Sequence, residues 1–392
     1  MSKKKGQEPS IRRSVKAINS IFKNDSPIVP LDDSFLTESM PHISSSVLSI
    51  DHLIGGRPNQ NGVPPCPGFP RGRVIQLYGN PGSGKTTLAL TLCRETIKAG
   101  GTVVYIDWEN EIDPRYAHKI GVPVSDQDKF ILIQPNTLED GLKCIWAFAK
   151  HGVDLIVVDS VGAGVPEDIF YQKDNEQGST GRIGLLAQKW SVFLPKVKTV
   201  IAKSGTMLFG ISQLRSKINT MGRGRNTTEQ GGTAWKFYSC IRMMLRVVSK
   251  EKQKVLNPLT GKSEDTVVGT VVKAELDKCK VSPSVHNSTL FYVSHGEGID
   301  SVRSVVEAAI ASNLIKKGGA WFTWIKPDGS EYKKQGLPRF VKELGSGDVD
   351  VLFSQLSTKL LQPSSDEGTF KDEVKDGDED FEDLFAGSGL EV

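Results

Sequence analysis

The segment GNPGSGKTT at residues 79–87 constrains the fold of this chain more than any other. It follows the apolar run RVIQLY and precedes LALTLC, a context that predicts a strand, a glycine-rich turn and the start of a helix. Gly79, Gly84, Lys85 and Thr86 match the spacing G-x-x-x-x-G-K-[ST]. Backbone N–H groups of such a loop surround phosphate oxygens at the positive end of a helix. The segment therefore predicts a nucleoside triphosphate site.

The polar side chains around this loop predict how the triphosphate and its metal would be held. Lys85 supplies a charge to the β- and γ-phosphates, and Thr86 offers a hydroxyl to Mg²⁺. In DLIVVDS, four apolar residues precede Asp159, which is typical of the carboxylate that holds this ion through its water shell. Thr86 and Asp159 are thus the expected metal residues. The expected nucleotide contacts are Gly79, Asn80, Pro81, Gly82, Ser83, Gly84, Lys85, Thr86, Thr87 and Asp159.

Hydrolysis also needs a group that activates water. The run TVVYIDWENEIDP ends a predicted strand with Asp107 and Glu109 close together. Glu109 is our candidate for the general base. Spacing alone leaves Glu111 and Asp113 open as alternatives.

The arrangement of apolar runs predicts an α/β fold. Short apolar runs, whose lengths suit buried strands, recur between residues 73 and 293, and the early ones alternate with helical patterns that end at glycine. This alternation predicts a central, mostly parallel sheet. From about Ser239 the strands follow one another without helices, so we expect an antiparallel edge. Residues 57–71 are too rich in proline and glycine for regular structure, and we expect an ordered loop.

Composition indicates a cytosolic protein that binds a polyanion. The 392 residues contain no secretory signal or membrane-spanning run, and the five cysteines form no CxxC pair, which is typical of reduced thiols. From Asp366 to Val392 there are eleven acidic and two basic residues, a net charge of −9. Because the whole chain carries +3, residues 1–365 carry +12. The acidic tail either competes for the basic surface or is a solvated, disordered segment.

Both ends of the chain carry separate elements. Residues 10–23 place Ile11, Val15, Ile18 and Phe22 at helical spacing. This apolar stripe needs a partner surface, either on the chain's own core or on a neighbouring subunit. Near the other end, SVRSVVEAAIASNLIKKGG predicts a helix, AWFTWIKPDGSEYKK a hairpin and LPRFVKELG another helix.

Several segments in one order resemble the RecA family of recombinases, from about Ser45 to Leu344. They are IDWENEIDPRYAHKIGV, GGTAWKFYSCIR, HGEGI and NLIKKGGAW. The resemblance implies ATP and Mg²⁺ as cofactors, with Glu109 activating water and Asp113 and Tyr116 holding adenine. Gln213 in GISQLR stands at the family's γ-phosphate sensor. Trp108, Ser212, Trp235, Ile241 and the Ser294–His295 pair depart from the family pattern.

The resemblance also implies contacts across a subunit interface and with DNA. Lys278 and Lys280 match two lysines that reach the γ-phosphate of a neighbouring subunit. Residues 166–182 match the first DNA-binding loop in position, with Arg182 as the main contact and Lys173 as a second, and the basic segment that follows Gln213 matches the second loop. Cations there suit phosphates, and the apolar side chains can wedge between bases. The residues implied in the second loop are Arg215, Lys217, Ile218, Met221, Arg223, Arg225, Gly231 and Gly232.

These resemblances lead to one hypothesis about fold and function. The fold is a RecA-type P-loop NTPase core, with an N-terminal oligomerisation helix and strand and a small C-terminal α+β domain. The function is strand exchange by a filament on single-stranded DNA that pairs with homologous double-stranded DNA, in the bacterial cytosol, encoded by host or phage. Loader and single-strand-binding proteins are expected partners, and a membrane is not. The expected divisions are 1–44 (oligomerisation helix and linker), 45–296 (core), 297–361 (C-terminal domain) and 362–392 (tail).

Two alternative functions use the same motifs. The first is a ring-forming helicase with the RecA fold. A regulatory paralogue would bind nucleotide and DNA without turnover. The segments GGTAWKFYSCIR and NLIKKGGAW favour the recombinase over the helicase, and the complete set of hydrolytic residues argues against the paralogue.

Overall fold

The computed structural model describes residues 38–55, 61–171, 179–216, 227–229, 231–256, 261–282 and 287–361. The predicted N-terminal helix, the acidic tail and most of the second DNA-binding loop, including Lys217, Ile218, Met221, Arg223 and Arg225, lie outside these residues, as does Lys173. The strands are β1 (His42–Ile43), β2 (Phe69–Pro70), β3 (Val74–Gly79), β4 (Val103–Asp107), β5 (Phe130–Ile133), β6 (Leu155–Asp159), β7 (Met207–Ser216), β8 (Thr227–Glu229), β9 (Ile241–Leu256), β10 (Ser263–Cys279), β11 (Ser288–Ser294), β12 (Gly298–Ile299), β13 (Ile315–Gly318), β14 (Trp321–Ile325) and β15 (Glu331–Gln335).

A ten-stranded sheet forms the centre of the molecule. Its order is β12-β11-β10-β9-β3-β7-β6-β4-β5, and β8 pairs with β7. The strands from β9 to β5 in this order run parallel. Every residue of β3, β4 and β6 is buried, because helices cover both faces of the sheet. The predicted α/β fold with a mostly parallel sheet is confirmed.

The helices lie on both faces of this sheet and at its ends. They are α1 (Leu48–Gly55), α2 (Lys85–Lys98), α3 (Pro114–Ile120), α4 (Leu138–His151), α5 (Glu167–Phe170), α6 (Ser179–Ser204), α7 (Thr233–Tyr238), α8 (Ser301–Ala311), α9 (Leu337–Lys342) and α10 (Ser346–Leu361). Alternate residues of β3 enter different cores: Ile75 packs in the cluster with α2, and Val74 in the cluster with α6. No helix in the described ranges has both the length and the apolarity needed to span a bilayer.

The predicted antiparallel edge is confirmed, and its hairpin is longer than the sequence indicated. Strands β9 and β10 pair over 16 and 17 residues. Strand β11 covers only Gly269–Glu275 of β10, so the hairpin tip, where Ser263–Val267 pairs with Lys252–Leu256, is a two-stranded ribbon. Within the loop predicted over 57–71, Phe69–Pro70 pairs with β1, so that prediction is wrong for these two residues.

The helix predicted from Ser301 ends seven residues before Gly318, the first of the two glycines predicted to cap it. Helix α8 stops at Ala311, and Asn313 adopts a left-handed conformation with φ 57°. The N–H groups of Asn313 and Leu314 bond to Ile310 and Ala309 carbonyls, a Schellman arrangement that satisfies the helix end. Ile315–Gly318 then pairs with β14, which turns the predicted hairpin into a three-stranded sheet. This region has its own apolar cluster around Trp324 and Phe340.

Two tryptophans that depart from the family pattern occupy space left by glycines. The Trp108 ring packs so closely on Gly141 that an added Cβ would lie 2.1 Å from it. A Cβ on Gly210 would lie 2.3 Å from the Trp235 ring. Both rings make edge contacts with Trp190, at centroid distances of 6.1 and 5.0 Å. Each of these two tryptophan rings therefore packs against a glycine on another element of the core.

We predict that Gly141→Ala destabilises the protein although it adds a better helix former within α4. Alanine normally favours a helix over glycine by about 1 kcal/mol, but the clash with Trp108 should cost about 1–3 kcal/mol. Thermal and urea unfolding measure the difference. Gly184→Ala in α6 is the matched control, because no atom lies within 4 Å of its added Cβ, and it should raise stability. Equal effects of the two changes would contradict the packing argument.

Candidate nucleotide and metal site

The glycine-rich loop joins β3 to α2, as predicted from its sequence context. Gly79 ends the strand, and a Cβ there would lie 2.3 Å from the Leu245 carbonyl oxygen of β9. Gly82 and Gly84 have φ of 73° and 83°, a left-handed conformation that glycine adopts without strain. Gly84 precedes the first residue of α2. The loop thus presents the N-terminus of a 14-residue helix.

Lys85 is buried, and its ammonium group contacts the loop itself. Nζ donates to the carbonyl oxygens of Asn80 at 2.7 Å and Gly79 at 3.1 Å. Burial lowers the pKa of Lys85, while Asp159 and Glu109 act in the opposite direction. A nearby Ser83 hydroxyl oxygen is buried with no protein partner. An anion with several oxygens would suit this unpartnered hydroxyl and the buried cation.

The predicted metal residues are in direct contact. The Thr86 hydroxyl donates to Asp159 Oδ2 at 3.0 Å, and the Tyr105 hydroxyl donates to the same oxygen at 2.6 Å. Burial raises the pKa of Asp159 to about 6. The described residues contain no group of three or more His, Cys, Asp or Glu side chains that could hold a metal. A hydroxyl beside a carboxylate fits Mg²⁺, which takes few protein ligands and completes its shell with phosphates and water.

Glu109 and Gln213, predicted as base and sensor, are hydrogen-bonded to each other. Gln213 Nε2 donates to Glu109 Oε1 at 2.9 Å and to Oε2 at 3.1 Å, across 104 residues of sequence. The Ser160 hydroxyl donates to Oε1 at 2.7 Å. Asp113, an alternative base, instead caps α3 by accepting the N–H of Arg115. The structure therefore joins the end of β7 to the candidate base.

Of the two residues implied in adenine binding, Tyr116 lies beside a cavity of about 280 Å³ next to the loop, and Asp113 is not among the residues that line it. Tyr116 lines this cavity, and its hydroxyl bonds to Thr87 Oγ1 at 2.9 Å. Ser294 and His295, the pair that departs from the family pattern, line the same cavity as the loop residues Gly82 and Gly84. Thr270 also lines this cavity. It belongs to none of the motifs in the sequence, so the sequence did not predict it as a site residue.

Lys278 lies at the carbonyl end of α7. Its Nζ donates to the carbonyl oxygens of Lys236 at 2.9 Å and Phe237 at 3.0 Å. Burial, the Lys280 charge and the Arg242 charge all lower the pKa of Lys278. Lys280 is exposed. Lys278 pairs with Arg242 of β9, which pairs with Gln76 of β3, three residues before Gly79, so Lys278 lies two strands away from the strand that carries the loop.

The described parts of the DNA-binding loops show how their ends are anchored. The end of β7 pairs with β8, which closes the base of residues 217–226. Gly231 and Gly232 have φ of 90° and 81°, and an added Cβ on either would lie 2.6 Å from Val161 or Ala187. Packing alone thus explains these two glycines, and their contact with DNA stays a prediction. Arg182 in α6 and Arg215 in β7 have described backbones only.

We predict that Asp159→Asn stabilises the nucleotide-free protein at neutral pH. A carboxyl whose pKa rises on folding loses stability as pH rises from the unfolded value of 3.8 through about 6, because the folded state resists ionisation. Asparagine is neutral and avoids this loss of unfolding free energy, which for a pKa shift of about two units is about 3 kcal/mol at most. In thermal unfolding, the Asp159→Asn variant should have a higher Tm than the wild type near pH 8, and the two Tm values should converge near pH 4, within about one pH unit. A difference in Tm independent of pH would contradict the burial argument.

Comparison with known proteins agrees with this geometry. The family model described as the RecA N-terminal domain matches residues 10–300. Protein RecA of Borrelia hermsii (strain HS1 / DAH) is 34% identical over 317 residues, covering 81% of this chain and 82% of the relative. Protein RecA of Borrelia duttonii (strain Ly) is 36% identical over 296 residues, covering 75% and 74%. Protein RecA of Laribacter hongkongensis (strain HLHK9) is 35% identical over 298 residues, covering 76% of each. With its sheet order, its P-loop and these matches, the chain belongs to the RecA family of recombinases.

Proposed function

We propose that this protein is an ATP-dependent recombinase that forms a filament on single-stranded DNA and catalyses pairing and strand exchange with a homologous duplex in DNA repair. The observation that carries the proposal is the bond between Glu109 and Gln213. It connects the candidate water-activating carboxylate to β7, whose last residue precedes the basic segment 217–226. Nucleotide chemistry and DNA contact can therefore influence each other through one strand.

In this mechanism each polar residue of the site has one task. Lys85 leaves the carbonyl oxygens of Gly79 and Asn80 and binds the β- and γ-phosphates. Thr86 and Asp159 would hold Mg²⁺, and the bound ion would supply positive charge to the phosphate oxygens. Water attacks the γ-phosphorus and its proton passes to a Glu109 oxygen, while the bond from the γ-phosphorus to the bridging oxygen breaks and ADP leaves with that oxygen. Tyr105 keeps the Asp159 carboxylate oriented.

Gln213 serves as the switch between the two states of the site. Its amide nitrogen donates to both oxygens of Glu109. A γ-phosphate oxygen offers a competing acceptor of higher charge. When Gln213 turns to it, Glu109 becomes available to water and the end of β7 shifts with the amide. This exchange would link the state of the nucleotide to the DNA-binding segment.

A neighbouring subunit would complete the site. In its own chain Lys278 is aligned through β9 with Gln76, three residues before Gly79, and its Nζ donates to carbonyl oxygens at the end of α7. We propose that Lys278 and Lys280 reach the γ-phosphate of the adjacent subunit, as a cation supplied in trans. Head-to-tail contacts of this kind repeat without closing and build an open helical filament. Hydrolysis then depends on assembly.

An apolar groove between α4 and α6 is the surface we assign to the N-terminal helix of residues 10–23. The groove has a volume of about 400 Å³ and is lined by Leu142, Leu185, Val192 and Phe193. Val192 is 53% exposed, unusual for a valine on a packed helix. The stripe Ile11, Val15, Ile18 and Phe22 matches a groove of this chemistry. A neighbouring subunit supplies the helix, which makes it an oligomerisation element.

The basic segment would hold the phosphate backbone of single-stranded DNA and leave base edges free. Arg215, Lys217, Arg223 and Arg225 supply charge, and Ile218 and Met221 supply wedges. A homologous duplex is then read by base pairing, so exchange of one identical strand for another is nearly balanced in energy. Hydrolysis accordingly releases the filament. We place this activity in the bacterial cytosol, where loader and single-strand-binding proteins would act with it.

We predict that Lys85→Ala abolishes ATP turnover, because the main phosphate cation is lost. Gln213→Met should retain nucleotide binding but lose about 10²-fold of DNA-stimulated turnover, since the switch can no longer donate to the phosphate. Arg223→Ala should turn over ATP normally without DNA and need more DNA for stimulation. ATP hydrolysis with and without single-stranded DNA, and D-loop formation, provide the measurements.

The wild-type protein itself can contradict the proposal. Turnover that is the same in dilute monomer and indifferent to added oligonucleotide would exclude a DNA-dependent recombinase. Electron microscopy distinguishes the helicase alternative, for which closed rings rather than filaments are expected. Binding of nucleotide and DNA without turnover would indicate a regulatory paralogue.

We predict that Val192→Asp weakens assembly. A carboxylate in the α4–α6 groove would have to be buried without a partner when the N-terminal helix docks, which costs several kcal/mol. Light scattering with ATP and DNA should show smaller assemblies, with folding unchanged by circular dichroism. Val351→Asp, which alters another exposed valine on α10, is the control and should assemble normally. Normal assembly of the Val192 variant would place the helix elsewhere, including on its own core.

A further inference from the structure

A group of buried polar side chains joins three neighbouring strands of the sheet. Gln76 of β3 donates from Nε2 to the Ser212 hydroxyl of β7 at 3.0 Å. Arg242 of β9 donates from Nε to Gln76 Oε1 at 2.8 Å. Gln76 and Ser212 have no exposed surface, and Arg242 is 4% exposed. A single amide thus connects the strands on both sides of it.

The group continues from Arg242 to a fourth strand. Arg242 Nη1 lies 3.7 Å from Asp277 Oδ2 of β10, and its guanidinium stacks 4.8 Å from the Tyr78 ring centroid. The Tyr78 hydroxyl donates to Asp277 Oδ2. The Asp277 side chain is 22% exposed, so the group begins in the core and ends at the surface. We call Ser212, Gln76, Arg242, Tyr78 and Asp277 the strand-crossing group.

The ends of this group adjoin residues that act in the proposed mechanism. Ser212 precedes Gln213, Tyr78 precedes Gly79 and Asp277 precedes Lys278. Ile211 packs in the cluster with α2, so strand alternation places Gln213 on that face and Ser212 on the opposite one. Gln76, Ser212 and Arg242 therefore lie on the sheet face opposite α2, and Gln76 stands three residues before Gly79. None of the side chains of the group belongs to the hydrolytic site.

Burying a guanidinium and an amide costs desolvation free energy, so these groups are an inefficient means of stabilising a sheet. Well-packed apolar side chains in such positions are often as stable or more so. Polar groups differ from apolar ones in demanding one geometry, because a displaced donor or acceptor is left unsatisfied in the core. A one-residue slip of β7 or β9 against β3 would break a bond to Gln76, and a slip of β10 against β9 would break the contact between Asp277 and Arg242. The group thus defines a single register for these strands.

We propose that Gln76 and Arg242 are positioning residues that hold the sensor end of β7 and the lysine end of β10 in one fixed relation to the P-loop strand. One subunit then presents Gln213 to its own nucleotide and Lys278 to its neighbour's nucleotide as parts of a single rigid unit. This inference rests on the proposed function, and in particular on the trans role of Lys278. Loss of the group would leave nucleotide binding intact and would uncouple the two sites.

The test is Gln76→Met, which keeps the length of the side chain and removes both hydrogen bonds. We expect the affinity for ATP of the full chain to stay within about twofold and DNA-stimulated turnover to fall about tenfold, the scale of coupling changes at positions away from ligands. The Hill coefficient for ATP should fall toward one. A loss of fold stability alone would not change this coefficient when assays are run well below the Tm of each variant.

Two further variants distinguish positioning from general destabilisation. Gln76→Glu keeps an acceptor for Arg242 and for the Ser212 hydroxyl, and it should restore most of the turnover. Thr96→Val removes a different buried hydrogen bond, from Thr96 Oγ1 to the Leu92 carbonyl in α2, and should retain both turnover and cooperativity. The inference is overturned if Gln76→Met behaves like wild type, or if Thr96→Val shows the same losses. A wild-type protein without DNA stimulation would overturn the proposed function and this inference together, whereas the other outcomes concern the inference alone.

Discussion

Burial of opposite charges at the carboxyl ends of parallel strands is the constraint on which the site depends. Lys85, Asp159 and Glu109 lie at one edge of the sheet, where burial opposes ionisation of the lysine and of Asp159. Each group is retained there because neighbours satisfy it: loop carbonyls for Lys85, two hydroxyls for Asp159 and two donors for Glu109. A triphosphate with its metal would supply the missing complement to this arrangement. The nucleotide-free site is therefore already organised around charge.

The core adapts to unusual side chains by changes elsewhere in the chain. Trp108 directly precedes the candidate base, and Trp235 stands in the segment after the DNA-binding loop. Both rings fit because Gly141 and Gly210 leave room for them. The substitutions are thus matched to glycines about 25–35 residues away, which a reading of either segment alone does not reveal, because close packing couples volume across elements. The same coupling holds the loop that carries Glu109 against α4.

Features of the fold that depend on neighbouring residues were predictable from the sequence. The strand–loop–helix order around Lys85, the apolar strands and the antiparallel edge were all predictable, because side-chain periodicity and glycine positions report on neighbouring backbone. Helix ends and strand lengths that depend on pairing with distant segments were not predictable from the sequence. Residues 315–318 continue a helical pattern in sequence, yet they pair with β14, and the backbone gains a ladder partner there. The length of β9 and β10 likewise depends on pairing between them.

The sequence by itself determined the chemistry available to this protein: a phosphate-binding loop, a candidate base, a sensor glutamine and a basic segment, each recognisable from residue type and spacing. Only the tertiary structure decided which of these groups meet. The hydrogen-bond partners of the Glu109, Asp159 and Gln76 side chains come from positions 51 to 166 residues distant in the sequence. Such contacts depend on sheet order and register, which emerge from the packing of all strands together. A hydrogen bond is lost over less than an ångström, so no local pattern can encode it.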